Sequence, residues 1–390
     1  MIYIITLLVC VFCSLHFDVN GRTHNKELSY RLLLIWFIAV SGLQYMVGSD
    51  TPVYMDNYKF LDTASISWKN IVDYGVRYQP GWMLLNYICR FITENFVLLK
   101  ITIAVFLNVA VFSFFKKNTK YIFTAVLLYA AMDYLVLNFN VLRQSLAVGF
   151  SLYAISAIKK SKWKSFFILT FMAYMFHDSA LLLLSFPLIK FFKPNKYSIT
   201  CVLVLFFGLI FYLTRVDLNS IMLDVLDSGY MNEDIAQVGQ NYFYNDRLGG
   251  RDGFAIFSLT RLILLIAIGY YIIYYKETFM GIFGISYILI VIITGFMPIL
   301  WRYRLYVDFP FIIMMSRVIV ELPSRKILSR NRLVAYLIIY SLSIFIFTKD
   351  LFSKPPGEKY AAIDQYYPYH SIFNPKINSD QMNYFQSLGN

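Results

Sequence analysis

The chain has 390 residues, 58% of them hydrophobic and 19% aromatic, with a mean hydropathy of +0.57. Water-soluble chains run at about 45–50% apolar residues, so this composition excludes an ordinary soluble domain. The net charge of +12 does not imply nucleic acid, because the basic residues sit in short clusters between apolar runs, where they act as topology signals.

Apolar runs fall at 2–17, 31–47, 97–115, 121–137, 141–158, 165–177, 179–192, 198–213, 254–275, 279–297, 303–320 and 332–348. The pattern predicts an all-α, polytopic integral membrane protein of about twelve transmembrane helices, built as a single membrane domain over 1–390. Several runs are shorter than the ~20 residues that a perpendicular helix needs, which predicts tilted or broken helices, or a re-entrant hairpin near 165–192. The first seventeen residues lack a basic leader and a small-residue cleavage site, and so read as the first span. Cys10 and Cys13 have CxxC spacing, but inside an apolar run they read as small buried hydrophobes.

Orientation follows from charge. The basic clusters at 22–31, 116–120, 159–164, 190–196 and 317–332, with Lys276, share one side and have few acidic neighbours, which makes that side cytoplasmic. Both termini then lie outside. Letting 81–93 cross the membrane would invert the clusters at 116–120 and 159–164, so that stretch is expected to be an interfacial or re-entrant helix on the outer face. Three long outer segments remain: 48–80, the extracytoplasmic loop 214–253, and the C-terminal tail 349–390. Segments longer than about 12–15 residues tend to carry function. Their Tyr, Asn and acidic residues suit a carbohydrate ligand, although Tyr and Trp also mark membrane interfaces in general.

Embedded polar residues carry the chemistry. Arg143 sits within Asn138–Ala147, and an Arg in the hydrocarbon core costs roughly 2.5–3.5 kcal/mol, so its span should face a bundle interior or a wet cavity. On a helix over 141–158, Asn140, Arg143, Gln144, Ala147 and Ser151 would form one polar or small-residue stripe. His177, Asp178, Arg302 and Arg304 also fall near outer span ends, and Arg261 is embedded. Three guanidiniums opening to one leaflet would suit a lipid diphosphate, because Arg binds phosphate oxygens in a fork at any pH. The same residues also admit structural readings: Arg143 as a helix-to-helix contact, Arg302 and Arg304 as snorkelling anchors, His177 bound to a backbone carbonyl, Asp178 as a neutralising partner of Arg143, and Asp50 as a helix cap. No phosphate-binding glycine loop, dinucleotide fingerprint, HExxH, paired CxxC, GxSxG or tight Asp-x-Asp occurs, so no metal and no cofactor are expected.

At Gly48-Ser49-Asp50-Thr51 with Tyr54 and Tyr58, at Asn138-Phe139-Asn140-Val141-Leu142-Arg143-Gln144-Ser145-Leu146-Ala147, and at Phe176-His177-Asp178-Ser179-Ala180-Leu181, the sequence resembles the EpsG family of Wzy-like bacterial polysaccharide polymerases. The Arg302/Arg304 pair and the Tyr-Pro-Tyr tail add to the likeness, which runs from about 45 to 375. The family commonly carries Glu before Pro-Gly-aromatic, where this chain has Gln79. The resemblance implies a GT-C-like glycosyltransferase in the bacterial inner membrane. It would transfer a growing glycan from undecaprenyl diphosphate to a lipid-linked repeat unit on the outer face, working with a chain-length regulator and a flippase. In that scheme Arg143, Arg302 and Arg304 hold the diphosphate, His177, Asp50 or Gln79 positions the acceptor hydroxyl, and Asn140, Gln144 and Asp178 contact substrate. The rival readings are a flippase for the same lipid-linked sugar, which should place embedded charges at both leaflets, and a ligase or acyltransferase, the latter needing a more central His.

Overall fold

The computed structural model describes residues 2–61, 78–192, 254–294, 300–323, 332–352 and 361–375. The loop 214–253, the apolar run 198–213, Arg77 and the last residues of the tail lie outside the described residues. The structure is all-helical, and among the described residues extended pairing is limited to isolated bridges at Gln44–Ser371 and Ser371–Asn374.

Two helices among the described residues are long and apolar enough to cross a membrane, Ile2–Val19 and Val97–Asn118, while Ile122–Met132, Thr260–Tyr275, Thr278–Thr294 and Val334–Lys349 are shorter apolar helices. The helices turn large apolar side chains outward. Ile4, Leu8 and Phe12, at i, i+4 and i+8 of α1 (Ile2–Cys13), are exposed, while Thr6, Cys10 and Cys13 face inward. This is the reverse of a soluble helix, and it fits a lipid solvent.

The chain forms two compact units. The first comprises Met1–Phe186, Ile319–Ser353 and Tyr360–Asn390, and the second Pro187–Val318 with Lys354–Lys359. In the first unit, α1 continues as a π-helical turn, Ser14–Val19, followed by α2 (Lys26–Gly42), α3 (Thr51–Lys59) and α4 (Pro80–Ile92). Next come α5 (Val97–Asn118), α6 (Ile122–Met132), α7 (Leu142–Lys159) and α8 (Trp163–Tyr174). Helix α5 packs between α2 and α7, and α8 packs on α7. Several buried polar side chains bond to one another inside this bundle, which offsets the cost of placing them in a low-dielectric interior. Asn108 donates to Asn138 (2.8 Å), Asn138 donates to the Tyr129 hydroxyl (2.8 Å), and Tyr129 donates back to Asn108 (3.2 Å), closing a ring.

The run 121–137 does not form one helix as expected. Helix α6 stops at Met132, and the chain re-coils as a π-helical segment, Val136–Asn140, before α7 begins. The buried ring explains the interruption, since it places the Asn138 side chain inside the bundle. The run 179–192 also departs from an α-helical span. It belongs to a 3₁₀ helix, Asp178–Lys190. Ala180, Leu183 and Phe186 are buried at a strict period of three, which is the eclipsed repeat of that helix.

In the second unit α9 (Phe254–Tyr275) pairs with α10 (Thr278–Thr294). The short α11 (Trp301–Arg304) precedes α12 (Asp308–Glu321), which reaches into the first unit's residues. The expected span 303–320 is therefore broken after Arg304, where the Arg304 Nε donates to the buried carboxylate of Asp308 at 3.1 Å. Helix α13 (Arg332–Phe352) belongs to the first unit and packs on α6.

Candidate functional site

The site begins where the 138–140 segment meets α7. The backbone carbonyl of Asn138 accepts from Lys100 Nζ at 3.5 Å, and the carbonyl of Phe139 accepts from the Thr51 hydroxyl at 2.7 Å. The Asn140 amide oxygen accepts from the Ser49 backbone N–H at 3.0 Å, while its nitrogen donates to Gln365 Oε1 and to the Tyr366 hydroxyl, both at 2.8 Å. Three consecutive residues are thus tied to three different parts of the chain. Asn140 accordingly lies before the helix and off the expected stripe, with its side chain joining the Ser49 loop to the tail. Only glycine fits at position 48. Its φ is +91°, and a Cβ there would run into the Phe139 carbonyl and the Asn140 side chain.

Arg143 and Gln144 occupy the first turn of α7, at the positive end of the helix dipole. Arg143 is half-buried. Its NH1 donates to Gln79 Oε1 at 3.0 Å, its Nε lies 3.5 Å from the Tyr54 hydroxyl, and its guanidinium stacks over the Tyr78 ring at 4.6 Å. Gln79 then donates from Nε2 to Asp178 Oδ2 at 2.6 Å. The orientation of this amide is forced, because a guanidinium only donates and a carboxylate only accepts. Gln79 is extended ahead of Pro80, the first residue of α4, as the proline requires. The Gly81 N–H donates to the Met175 carbonyl at 2.8 Å, and a Cβ on Gly81 would strike that same carbonyl. That close approach brings α4 against the corner at 175–179.

A second arm leaves the same turn. The buried Gln144 donates from Nε2 to the Ser179 hydroxyl at 3.3 Å, and Ser179 Oγ lies 2.7 Å from His177 Nδ1, which also accepts the Ser179 backbone N–H at 3.1 Å. Beneath both arms lies an apolar floor that includes Tyr54, Tyr58, Trp82, Leu99, Leu142 and Leu146. Burial pushes the Tyr58 phenol up to about 12, so it remains a neutral donor to the Thr93 carbonyl at 2.8 Å.

The structure therefore brings Arg143, Gln79 and Asp178 into one hydrogen-bonded chain and Gln144, Ser179 and His177 into another, the two leaving adjacent residues of α7. Asp50 precedes α3 and accepts from the Ser49 hydroxyl at 3.3 Å, in the loop that Asn140 holds. Arg302 and Arg304 belong to the second unit. Gln79 is a bridge and not a base, and the amide is what its slot takes: a glutamate there would set a second carboxylate against Asp178.

Sequence reasoning passed over Ser179 and Lys100. The first lay inside a quoted motif, and the second was visible as a lone cation in an apolar run. Lys100 is buried, with its ammonium 5.7 Å from the centre of the Phe139 ring. The tail, expected as an outward ligand-binding segment, is docked over 361–375. Tyr366 is buried, Tyr369 donates to the Val40 carbonyl at 3.0 Å, and backbone bonds join Gly48 to Gln365 and Tyr45 to His370. Burial raises the Tyr369 phenol to about 12. Among the described residues no three His, Cys, Asp or Glu side chains cluster as a metal ion would need.

A family model described as the EpsG family matches residues 27–371. No curated protein and no solved structure matches the chain.

Proposed function

Because the chain belongs to the EpsG family, the Wzy-like polysaccharide polymerases, we propose that it extends a bacterial surface polysaccharide from a lipid-linked donor. The donor is a glycan on undecaprenyl diphosphate, the acceptor is a lipid-linked repeat unit, and the reaction runs at the outer face of the inner membrane. About twelve spans, a GT-C-like arrangement and extracytoplasmic termini complete this reading. The observation that supports it most is the state of Arg143. Its guanidinium is fixed by Gln79 and by the Tyr78 ring at the positive end of α7, beside an exposed carboxylate.

As the sugar leaves, negative charge gathers on the diphosphate oxygen. A guanidinium already held in place stabilises that charge without reorganising, so it acts on the transition state more than on the ground state. The assignment of Arg302 and Arg304 to the diphosphate is a separate proposal, tested by their own variants. Deleting the gene should abolish long surface glycans and leave single repeat units on gels, whereas loss of all lipid-linked units from the outer face would favour a flippase. Arg143→Ala should reproduce the deletion, a loss on the order of 10²–10³ in rate, and Arg143→Lys should retain little, since Lys keeps the charge without the fork. Both variants should be present in the membrane at normal levels. Long chains made by Arg143→Ala would reduce Arg143 to a packing role.

A further inference from the structure

We propose that Asp178 takes the proton from the acceptor hydroxyl, and that His177 serves the site only as a hydrogen-bond donor through Nε2. This assignment rests on the polymerase reading above. Two donors converge on His177 Nδ1. One is the backbone N–H of Ser179 at 3.1 Å, which cannot act as an acceptor. The other is the Ser179 hydroxyl at 2.7 Å. Because the backbone N–H already takes Nδ1 as its acceptor, that nitrogen carries no hydrogen, and the hydroxyl can only donate to it while accepting from Gln144 Nε2 at 3.3 Å.

The imidazole therefore presents a lone pair at Nδ1 and carries its hydrogen on Nε2. A proton on Nδ1 would face the Ser179 N–H head to head. The ring has one acceptor, which is filled, and one N–H, which can only donate. A general base needs an open lone pair, and His177 has none to offer.

Asp178 differs in each respect. It is exposed, only its Oδ2 is engaged, by Gln79 at 2.6 Å, and Oδ1 has no partner among the described residues. Gln79 links that carboxylate to the guanidinium of Arg143 through one amide. A base and an electrostatic stabiliser are thus held at a set separation by a single side chain. In the step so assigned, the acceptor oxygen bonds to the anomeric carbon as its proton passes to Asp178. The bond from that carbon to the diphosphate oxygen breaks, and the lipid diphosphate leaves with the electron pair.

The test uses the full-length chain in its own host, with the host's lipid-linked repeat units as substrate. Glycan length is read on gels, and each variant's membrane level by immunoblot. His177→Gln offers an acceptor to Ser179 and an N–H beyond it, but no base, and should keep at least a tenth of the chain extension. His177→Phe and Asp178→Asn should each lose a hundredfold or more. If His177→Gln is as inactive as His177→Phe while Asp178→Asn still polymerises, the assignment is overturned. Asp50→Asn inactive beside an active Asp178→Asn overturns it in favour of Asp50. Should Asp178→Asn and His177→Gln both be inactive, ¹⁵N NMR of histidine-labelled protein decides, with the His177 signals identified by their loss in His177→Gln. A pyridine-like Nδ1 and a protonated Nε2 support the proposal, and a protonated Nδ1 refutes it. Failure of the polymerase reading looks different, because deleting the gene would then leave long chains in place or remove every lipid-linked unit from the outer face, whatever the 177 and 178 variants do.

Discussion

Replacing Gln79 by glutamate tests the bridge that joins the two halves of the site. The new carboxylate would lie 3.0 Å from Arg143 and 2.6 Å from Asp178. In bulk water these contacts contribute roughly 1.4 kcal/mol of attraction and roughly 1.6 kcal/mol of repulsion, which nearly cancel. What does not cancel is the hydrogen bond from the amide to Asp178, worth about 1.5–3 kcal/mol when one partner is charged, with the lower end expected for an exposed pair. Gln79→Glu should therefore destabilise the protein by about 2 kcal/mol, visible as a lower thermal midpoint of the detergent-solubilised chain. Adding Asp178→Asn restores a donor opposite the introduced carboxylate and removes the like charge, so the double variant should recover most of the midpoint. It should remain inactive, since it lacks the Asp178 carboxylate. Two results would refute the bridge: no midpoint change in Gln79→Glu, or a double variant no more stable than the sum of its single changes.

Gly48→Ala should cost more than about 1 kcal/mol, because Ala is strained at positive φ and its methyl would meet the Phe139 carbonyl. Gly21 also has a positive φ, +68°, but open space around it, so Gly21→Ala is the control and should show a smaller fall in thermal midpoint. Tyr366→Phe removes one bond to Asn140 and should cost about 1 kcal/mol, while Asn140→Ala strands its partners and should cost more, with limited proteolysis within 361–375 accelerating in the same order. For orientation, a cysteine placed at Asn57 should react with an impermeant thiol reagent on intact cells, and one at Lys160 only after permeabilisation. The reverse pattern would place Arg143 toward the cytoplasm and remove the outer-face assignment.

Much of the architecture was legible in the chain, because a lipid solvent imposes a coarse and local rule: long apolar runs become helices, and charged clusters mark their ends. All-helical character and the start of α7 beside Arg143 followed from composition and short motifs alone. Where α6 stops was not legible, since that depends on a hydrogen-bonded ring among Asn108, Tyr129 and Asn138 drawn from two helices and the segment after them. The 3₁₀ character of 178–190 was equally hidden, because a short apolar run reads alike at periods of 3.0 and 3.6. The tail's Tyr residues looked like ligand contacts, yet Tyr366 and Tyr369 are engaged by Asn140 and by the Val40 carbonyl. Hydrogen-bond partners within the site were decided only by tertiary structure. Residue identity shows that Gln79 carries a donor and an acceptor and that His177 has two nitrogens. It takes the approach of α4 to the 175–179 corner to set which atom faces which partner, because hydrogen-bond direction depends on positions that residues distant in sequence reach only after folding.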